Sequence, residues 1–281
     1  MPNNMAIVMV GDFNPDEVIA KVDAAFAWWK SKPVTPYTAA PEKPLTAPVV
    51  KEVFGPTAES VNIAWRMPGG TSFKESVLLE LTANILSNGK AGLVDLNLNK
   101  QQKLLKAGAY NYSMKDYGIL NINGSPKEGQ TLDEVKALLM SQIDLLKKGD
   151  FDESLIKSTA ANYKLDKLES IKDINSTAQE IMASFIQEKG TMWDKRVAFL
   201  DAMNAVTKAE LVAFINQYVT DGAVVIYKKK GEDKSIVKVP KPAISPVDVN
   251  RDEQSDFLKK IEAMPTDLLT CDFANEFIET I

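Results

Sequence analysis

Ala6 to Val10 is a continuous apolar run bounded by Gly11 and Asp12, and it predicts a strand. Asn14-Pro15-Asp16-Glu17 then opens a helix, with Asn14 as N-cap, Pro15 at N1 and Glu17 at N3. Val18, Ile19, Val22, Phe26 and Trp29 share one face of that helix, which stops near Lys30. Beyond it, Pro33, Pro36, Pro41, Pro44, Pro48 and Pro56 punctuate an extended linker with one strand predicted at Val49 to Phe54.

A second region follows. Val61, Ile63, Trp65 and Met67 alternate with Asn62, Ala64 and Arg66, the period of a strand with two unlike faces, and Pro68-Gly69-Gly70 ends it. Ser72 with Glu75 predicts a capping box for a helix carrying Val77, Leu78, Leu81 and Ile85, which stops at Ser87-Asn88-Gly89. A shorter helix is expected from Gly92 to Lys103. Tyr110, Tyr112 and Met114, then Ile119 to Asn123 after Asp116-Tyr117-Gly118, read as a β-hairpin. Thr131 with Glu134 caps the next helix, closed by Lys147, Lys148 and Gly149. Further helices are predicted over Asp152 to Ile171, the least periodic, over Ser176 to Lys189, and after the Thr207/Glu210 pair. A last strand runs from Ala223 to Tyr227. This order predicts an α+β fold: a mixed, mostly antiparallel sheet with helices packed on one face. From Gly231 to Val249 a second linker carries Pro240, Pro242 and Pro246, and one amphipathic stretch lies around Phe257 to Ile261.

At 281 residues the chain suits about two domains at roughly 150 residues each. Its 45% hydrophobic and 25% charged residues are those of a folded soluble protein. With 33 basic against 38 acidic residues it lacks a basic field for phosphates, so nucleic acid is not an expected partner. The absence of histidine changes the picture most. It excludes, within this chain, a Ser-His-Asp or Cys-His machine, a His-ligated zinc site and a haem proximal ligand. Cys271 alone carries a thiol, so no internal disulfide or Cys-x-x-Cys pair is possible, and it reads as a small apolar residue. No run of about 18 apolar residues predicts a membrane span. The first residues lack the basic start of a signal peptide, and a strand beginning there reads as the middle of a larger fold.

Several motifs have plainer explanations than chemistry. Gly124 to Thr131 has the glycine spacing of a P-loop, but Gln130 stands where its lysine belongs and Pro126 removes a cradling N–H. Ser87-Asn88-Gly89-Lys90 and Ser154-Leu155-Ile156-Lys157 match Ser-x-x-Lys without its companion elements. Asp150, Asp152 and Glu153 fail the calcium-loop pattern and suit helix capping. Lys228-Lys229-Lys230 reads as a solvated strand end, and Trp28-Trp29 as a pair with one ring in the core and one on the rim.

Pro2 to Glu17, with its Asn-Met, β run, Gly-Asp and Pro-x-Glu helix, resembles a segment of the insulinase/pitrilysin family of zinc metallopeptidases, the inverzincins. Val61 to Met67, Leu86 to Gly89, Leu93 to Lys100, Tyr110 to Gly124 and Gly149 to Asp152 resemble the following non-catalytic domain of the same family. The likeness covers about residues 2 to 230. Pro246 to Asp252 is similar to the linker towards a second half.

The resemblance implies a division of the chain. Residues 1–32 would be the last strand and helix of an upstream zinc-peptidase domain, 33–57 a Pro-rich linker, 58–230 a non-catalytic insulinase-like α+β domain, and 231–281 a linker and the start of a further unit. The family's zinc is held by His-x-x-Glu-His and a later Glu, all upstream of the Gly-Asp strand. None maps here, so the resemblance implies no cofactor and no catalytic residue in this segment, with zinc in the parent protein. It implies walling of a peptide chamber, with peptide substrate and the remaining domains of the polypeptide as partners. Ser87, Asn88, Gly89 and Gly92 fall where family members touch substrate through a glycine-rich loop. Substrate-binding Arg and Tyr positions of the far half fall near Asn99 and Ala107 to Tyr110, where this chain has Asn99 and no Arg. A catalytically inactive paralogue or subunit, acting as a binding or assembly module, fits the same residues. The compartment, periplasmic or cytoplasmic, stays open.

Overall fold

The computed structural model describes residues 2–35, 37, 40–234, 240, 242–243, 245 and 253–264. Cys271 and the Pro246 to Asp252 stretch lie outside the described residues. The chain divides into two compact units, Met1–Lys234 and Ser235–Ile281.

In the first unit, β1 (Val49–Gly55), β2 (Ser60–Pro68), β3 (Lys106–Ser113), β4 (Tyr117–Ser125) and β5 (Val224–Lys230) form one sheet in the order β1-β5-β2-β4-β3. Only the β1–β5 pair is parallel; β5–β2, β2–β4 and β4–β3 are antiparallel. The helices are α1 (Pro15–Phe26), α2 (Phe73–Leu86), α3 (Leu132–Lys148), α4 (Ser154–Ser170), α5 (Ile174–Glu188), α6 (Trp193–Val197), α7 (Phe199–Ala205) and α8 (Lys208–Tyr218). The second unit contributes α9 (Asp256–Glu262), capped by the Ser255 hydroxyl.

Alternation along β2 buries Val61, Ile63, Trp65 and Met67 on one face. Leu120 and Ile122 of β4 and Val225 of β5 extend that floor, onto which α2, α3 and α8 pack Leu81, Ile85, Leu139, Ile143, Leu211 and Ile215. Full burial of a side chain of this size is worth about 1.5–3 kcal/mol, so this layer is the main source of stability. The Trp65 indole N–H, buried with its ring, donates to the Thr220 carbonyl at 2.9 Å, which avoids an unpaired donor in the core.

Local signals position the helices. Thr131/Glu134 and Thr207/Glu210 each form a complete capping box, and Gly149 ends α3 with φ 70 in the left-handed region. Ser72 departs from expectation: its side chain makes no cap bond, and instead the Ser76 hydroxyl donates to the Ser72 carbonyl at 2.9 Å. The short helix expected from Gly92 is reduced to a π-helical turn, Asp95–Asn99, in which the Lys100 N–H donates to the Asp95 carbonyl at 2.9 Å.

The N-terminal segment also differs. Ala6 to Val10 is not a strand, and Ile7 and Met9 are 56% and 51% exposed. Among the described residues no neighbouring strand pairs with it, and a lone strand has no partner for its backbone groups. α1 forms with its Asn14 cap as expected, yet buries none of its residues. Trp28 and Trp29 stack with centroids 6.1 Å apart, but Trp28 is 72% exposed and Trp29 only half-buried, so neither ring enters the core.

Candidate functional site

The sheet has a second face, and its residues come from the other half of each alternation. Asn62, Ala64 and Arg66 of β2 lie opposite Asn123, Asn121 and Ile119 of β4, which lie opposite Gly108, Tyr110 and Tyr112 of β3. The cross-strand register therefore assembles a band of amides flanked by two phenols. The Asn123 amide donates to the side-chain oxygen of buried Asn121 at 3.0 Å, while Tyr110 and Tyr112 are 50% and 60% exposed. At one end the Arg66 guanidinium stands 5.4 Å from the Tyr117 ring centroid and donates to the Lys43 carbonyl at 3.0 Å. The Glu42 N–H donates to the Tyr117 hydroxyl at 3.0 Å, so residues of the Pro-rich segment close this end of the face.

Ser87, Asn88, Gly89 and Gly92 form one loop between α2 and the π-helical turn. Its organiser is Asp95, a residue not singled out from the sequence. The buried Asp95 carboxylate accepts from the Ser87 hydroxyl at 3.0 Å and from the N–H groups of Asn88 and Gly92 at 2.8 and 3.2 Å. The Asn88 side-chain oxygen accepts from the N–H groups of Lys90 and Ala91 at 3.0 and 2.9 Å. Gly92 is buried, and a Cβ there would meet the Leu86 carbonyl oxygen at 2.6 Å. Gly89 is exposed, with φ 75. The loop thus turns the polar groups of Ser87, Asn88 and Gly92 inward and presents Gly89 outward. Asn99 is similarly occupied: its amide donates to the Ala107 carbonyl and accepts from the Ala107 N–H, both at 2.9 Å.

The other motifs resolve into structural contacts. In the P-loop-like turn, the Lys127 ammonium donates to the Gln102 carbonyl at 2.6 Å, and the Gln130 amide accepts from the Lys127 N–H and donates to the Lys103 carbonyl. Asp152 accepts from the Ser154 N–H at 2.8 Å, a capping contact that lowers its pKa. In the lysine run, Lys228 donates to the carbonyls of Thr57 and Ala58 and Lys229 pairs with Glu52 at 2.6 Å, so both are tied to neighbouring chain.

Burial lifts the Tyr163 hydroxyl to about 12, and burial with a hydrogen bond to Asp133 lifts Tyr227 to about 12. Both phenols stay protonated near neutrality, and Tyr227 donates to Asp133. The chain has no histidine, and among the described residues no group of three or more His, Cys, Asp or Glu side chains is placed to hold a metal. The donor set of the described residues does not fit a zinc ion. No helix among the described residues is long and apolar enough to cross a membrane. The arrangement brings together amide side chains, aromatic rings and an exposed glycine turn.

A family model described as the peptidase M16 inactive domain matches residues 1–163. No curated protein matches the chain. The fold is similar to that of a protease from Helicobacter pylori, with 18% identity and a TM-score of 0.69 over 78% of this chain and 53% of that one. It is also similar to a peptidase M16 inactive domain from Pseudomonas fluorescens, with 13% identity and a TM-score of 0.63 over 80% and 54% of the two chains. A third likeness is to the first half of the periplasmic protease PqqL from Escherichia coli, with 12% identity and a TM-score of 0.62 over 78% and 49%. The chain spans about half the length of these proteins.

Proposed function

The chain belongs to the peptidase M16 inactive-domain family, and from that premise we propose that it forms part of the peptide-holding chamber of an insulinase-like zinc metalloendopeptidase. The zinc and its general base would be supplied by a separate zinc-bearing domain, and this chain would contribute no bond-breaking group. The observation that carries this reading is the second sheet face, where exposed Tyr110 and Tyr112 flank the half-buried Asn62 and Asn123, with Asn121 buried between them. Amide side chains pair with any peptide backbone, and exposed aromatic rings add apolar contact without demanding one sequence. Such a wall suits a substrate held by its main chain. Exposed Gly89 would bring a second stretch of backbone to the same peptide.

On this reading residues 1–32 complete a neighbouring zinc-peptidase domain, 33–57 link it to the wall formed by 58–230, and 231–281 lead into a further unit. The exposure of Ile7 and Met9 and the unburied face of α1 support that division.

The test is kinetic and uses the native protein, recovered with an antibody raised against this chain. We expect a species heavier than 30.9 kDa whose peptide cleavage is abolished by chelators. Tyr110→Ala with Tyr112→Ala should raise KM at least about fivefold with kcat unchanged, the signature of lost uniform binding. An unchanged KM would overturn the wall. A native assembly that binds no zinc would instead move the chain to the second reading, a catalytically empty binding subunit.

A further inference from the structure

α5 lies over the body of the domain without being packed into it. Ile174, Met182 and Ile186 are exposed, and Ser184 is its one buried residue. Its attachments are polar. Glu180 pairs with Lys167 of α4 at 2.7 Å and with Arg196 of α6 at 3.2 Å, and Arg196 reaches Glu188 at 2.8 Å and Gln187 at 2.6 Å. These struts leave a cavity of about 820 Å³ between α5 and the body. That volume falls within the roughly 300–1,000 Å³ of small-ligand sites.

The walls are apolar, formed by Phe73, Leu79, Leu168, Ile181, Phe199 and Leu200. Polar groups gather at one end. Ser113 lines the wall there with a buried hydroxyl that has no hydrogen-bond partner. Beside it the Gly70 N–H donates to the Met114 carbonyl at 2.7 Å, and Gly70 lies so close to Gln187 that an added Cβ would meet its side-chain oxygen at 2.9 Å. Gln187 accepts from Arg196, so Ser113, Gln187 and Arg196 mark the same end.

The charges around the cavity do not balance. Lys164, Lys167, Lys195 and Arg196 face Glu80, Glu180 and Glu188. Each carboxylate is already held: Glu80 by Asn84 and Asn111, Glu180 by Lys167 and Arg196, and Glu188 by Arg196 and Ser184. Among the described residues Lys164 and Lys195 have no ion pair or side-chain hydrogen bond, and four cations against three carboxylates leave one net positive charge at an apolar cavity. We propose that the space beneath α5 binds an amphiphile with a linear apolar body and an anionic head. The apolar body fills the space between α5 and α2, and the head takes the two free ammonium groups.

The test uses the full 281-residue chain and titration calorimetry with laurate, dodecanol and dodecyltrimethylammonium below their micelle thresholds. Laurate should bind one per chain, and the cationic amphiphile at least about tenfold more weakly. Lys164→Glu with Lys195→Glu alters two exposed side chains, so the fold is kept, and should invert that order. Ala183→Trp, which places a large ring inside the cavity from α5, should remove binding of all three. Equal affinities for the three head groups, or laurate binding intact in Ala183→Trp, would overturn the proposal. So would an acidic apolar peptide that binds in an Ala183→Trp-sensitive manner while laurate does not, since the cavity would then belong to polypeptide.

Discussion

The Asp95 carboxylate accepts the Asn88 N–H at 2.8 Å, and with its two oxygens it also holds Ser87 and Gly92 at 3.0 and 3.2 Å. One side chain, 6% exposed, thus secures both ends of the loop that presents Gly89. Asp95→Ala strands three donors, two of them backbone N–H groups that no rotamer change can redirect. We expect a loss of about 2–4 kcal/mol in chemical denaturation, at the upper end for hydrogen bonds to a charged group. A midpoint unchanged from wild type would show that the loop is held by its backbone alone.

The two faces of the sheet should answer mutation differently. Leu139→Ala, at a residue with 0% exposure, opens a hole in the layer between α3 and the sheet and should cost about 2–5 kcal/mol. Tyr112→Ala on the opposite face, at 60% exposure, should cost under about 1 kcal/mol. Similar losses at both sites, measured by urea unfolding, would mean that the second face is covered in solution.

Acid should act partly through Glu210. Its carboxylate accepts from the Lys74 ammonium at 2.8 Å and from the Thr207 N–H and hydroxyl, and these bonds hold its pKa at about 2 against an ordinary 4.5. A carboxyl depressed by folding stabilises fully above its unfolded value and loses that contribution as pH falls through its folded value. The window therefore runs from 4.5 down to about 2. Across it the melting temperature of Glu210→Gln should fall less steeply than that of wild type. Parallel curves would contradict the assignment.

Removal of residues 2–34 should leave the melting temperature within about 2 °C of the parent. α1 buries no residue, and the hydrogen bond from Asn3 to the Lys32 carbonyl at 3.0 Å lies wholly within the removed stretch. Circular dichroism melts of the two proteins decide the matter. A large drop would show that the segment packs in solution.

What could be read along the chain was local. The Thr131/Glu134 and Thr207/Glu210 boxes, the hairpin and the Val61-to-Met67 alternation depend on residues two to four positions apart, and all are present. Ser72/Glu75 shows the limit of that logic, because the same spacing does not ensure the same hydrogen bonds. Ala6 to Val10 has the composition of a strand, but a strand is defined by its neighbour. α6 and α7, short helices that meet at Ala198, carry too few turns to show a period. At the candidate site the Ser87-to-Gly89 stop was visible as a helix end, whereas Asp95 looked like one more polar residue in a short helix. The amide band left a faint trace, Asn121 and Asn123 two positions apart, and its alignment with Asn62 requires a register that only pairing reveals.

β5 lies between β1 and β2, so Val49 pairs with Val224 and Val61 with Tyr227. The last strand of the unit is therefore a keystone, inserted between two strands synthesised far earlier. Until residues 224–230 emerge from the ribosome, β1 has no partner and β2 offers an open edge. Contacts this distant in sequence slow folding, because a long loop must close before the pairing compensates for it. Nascent chains that stop short of β5 should be sticky and protease-sensitive, and the sheet should gain protection in a single late step.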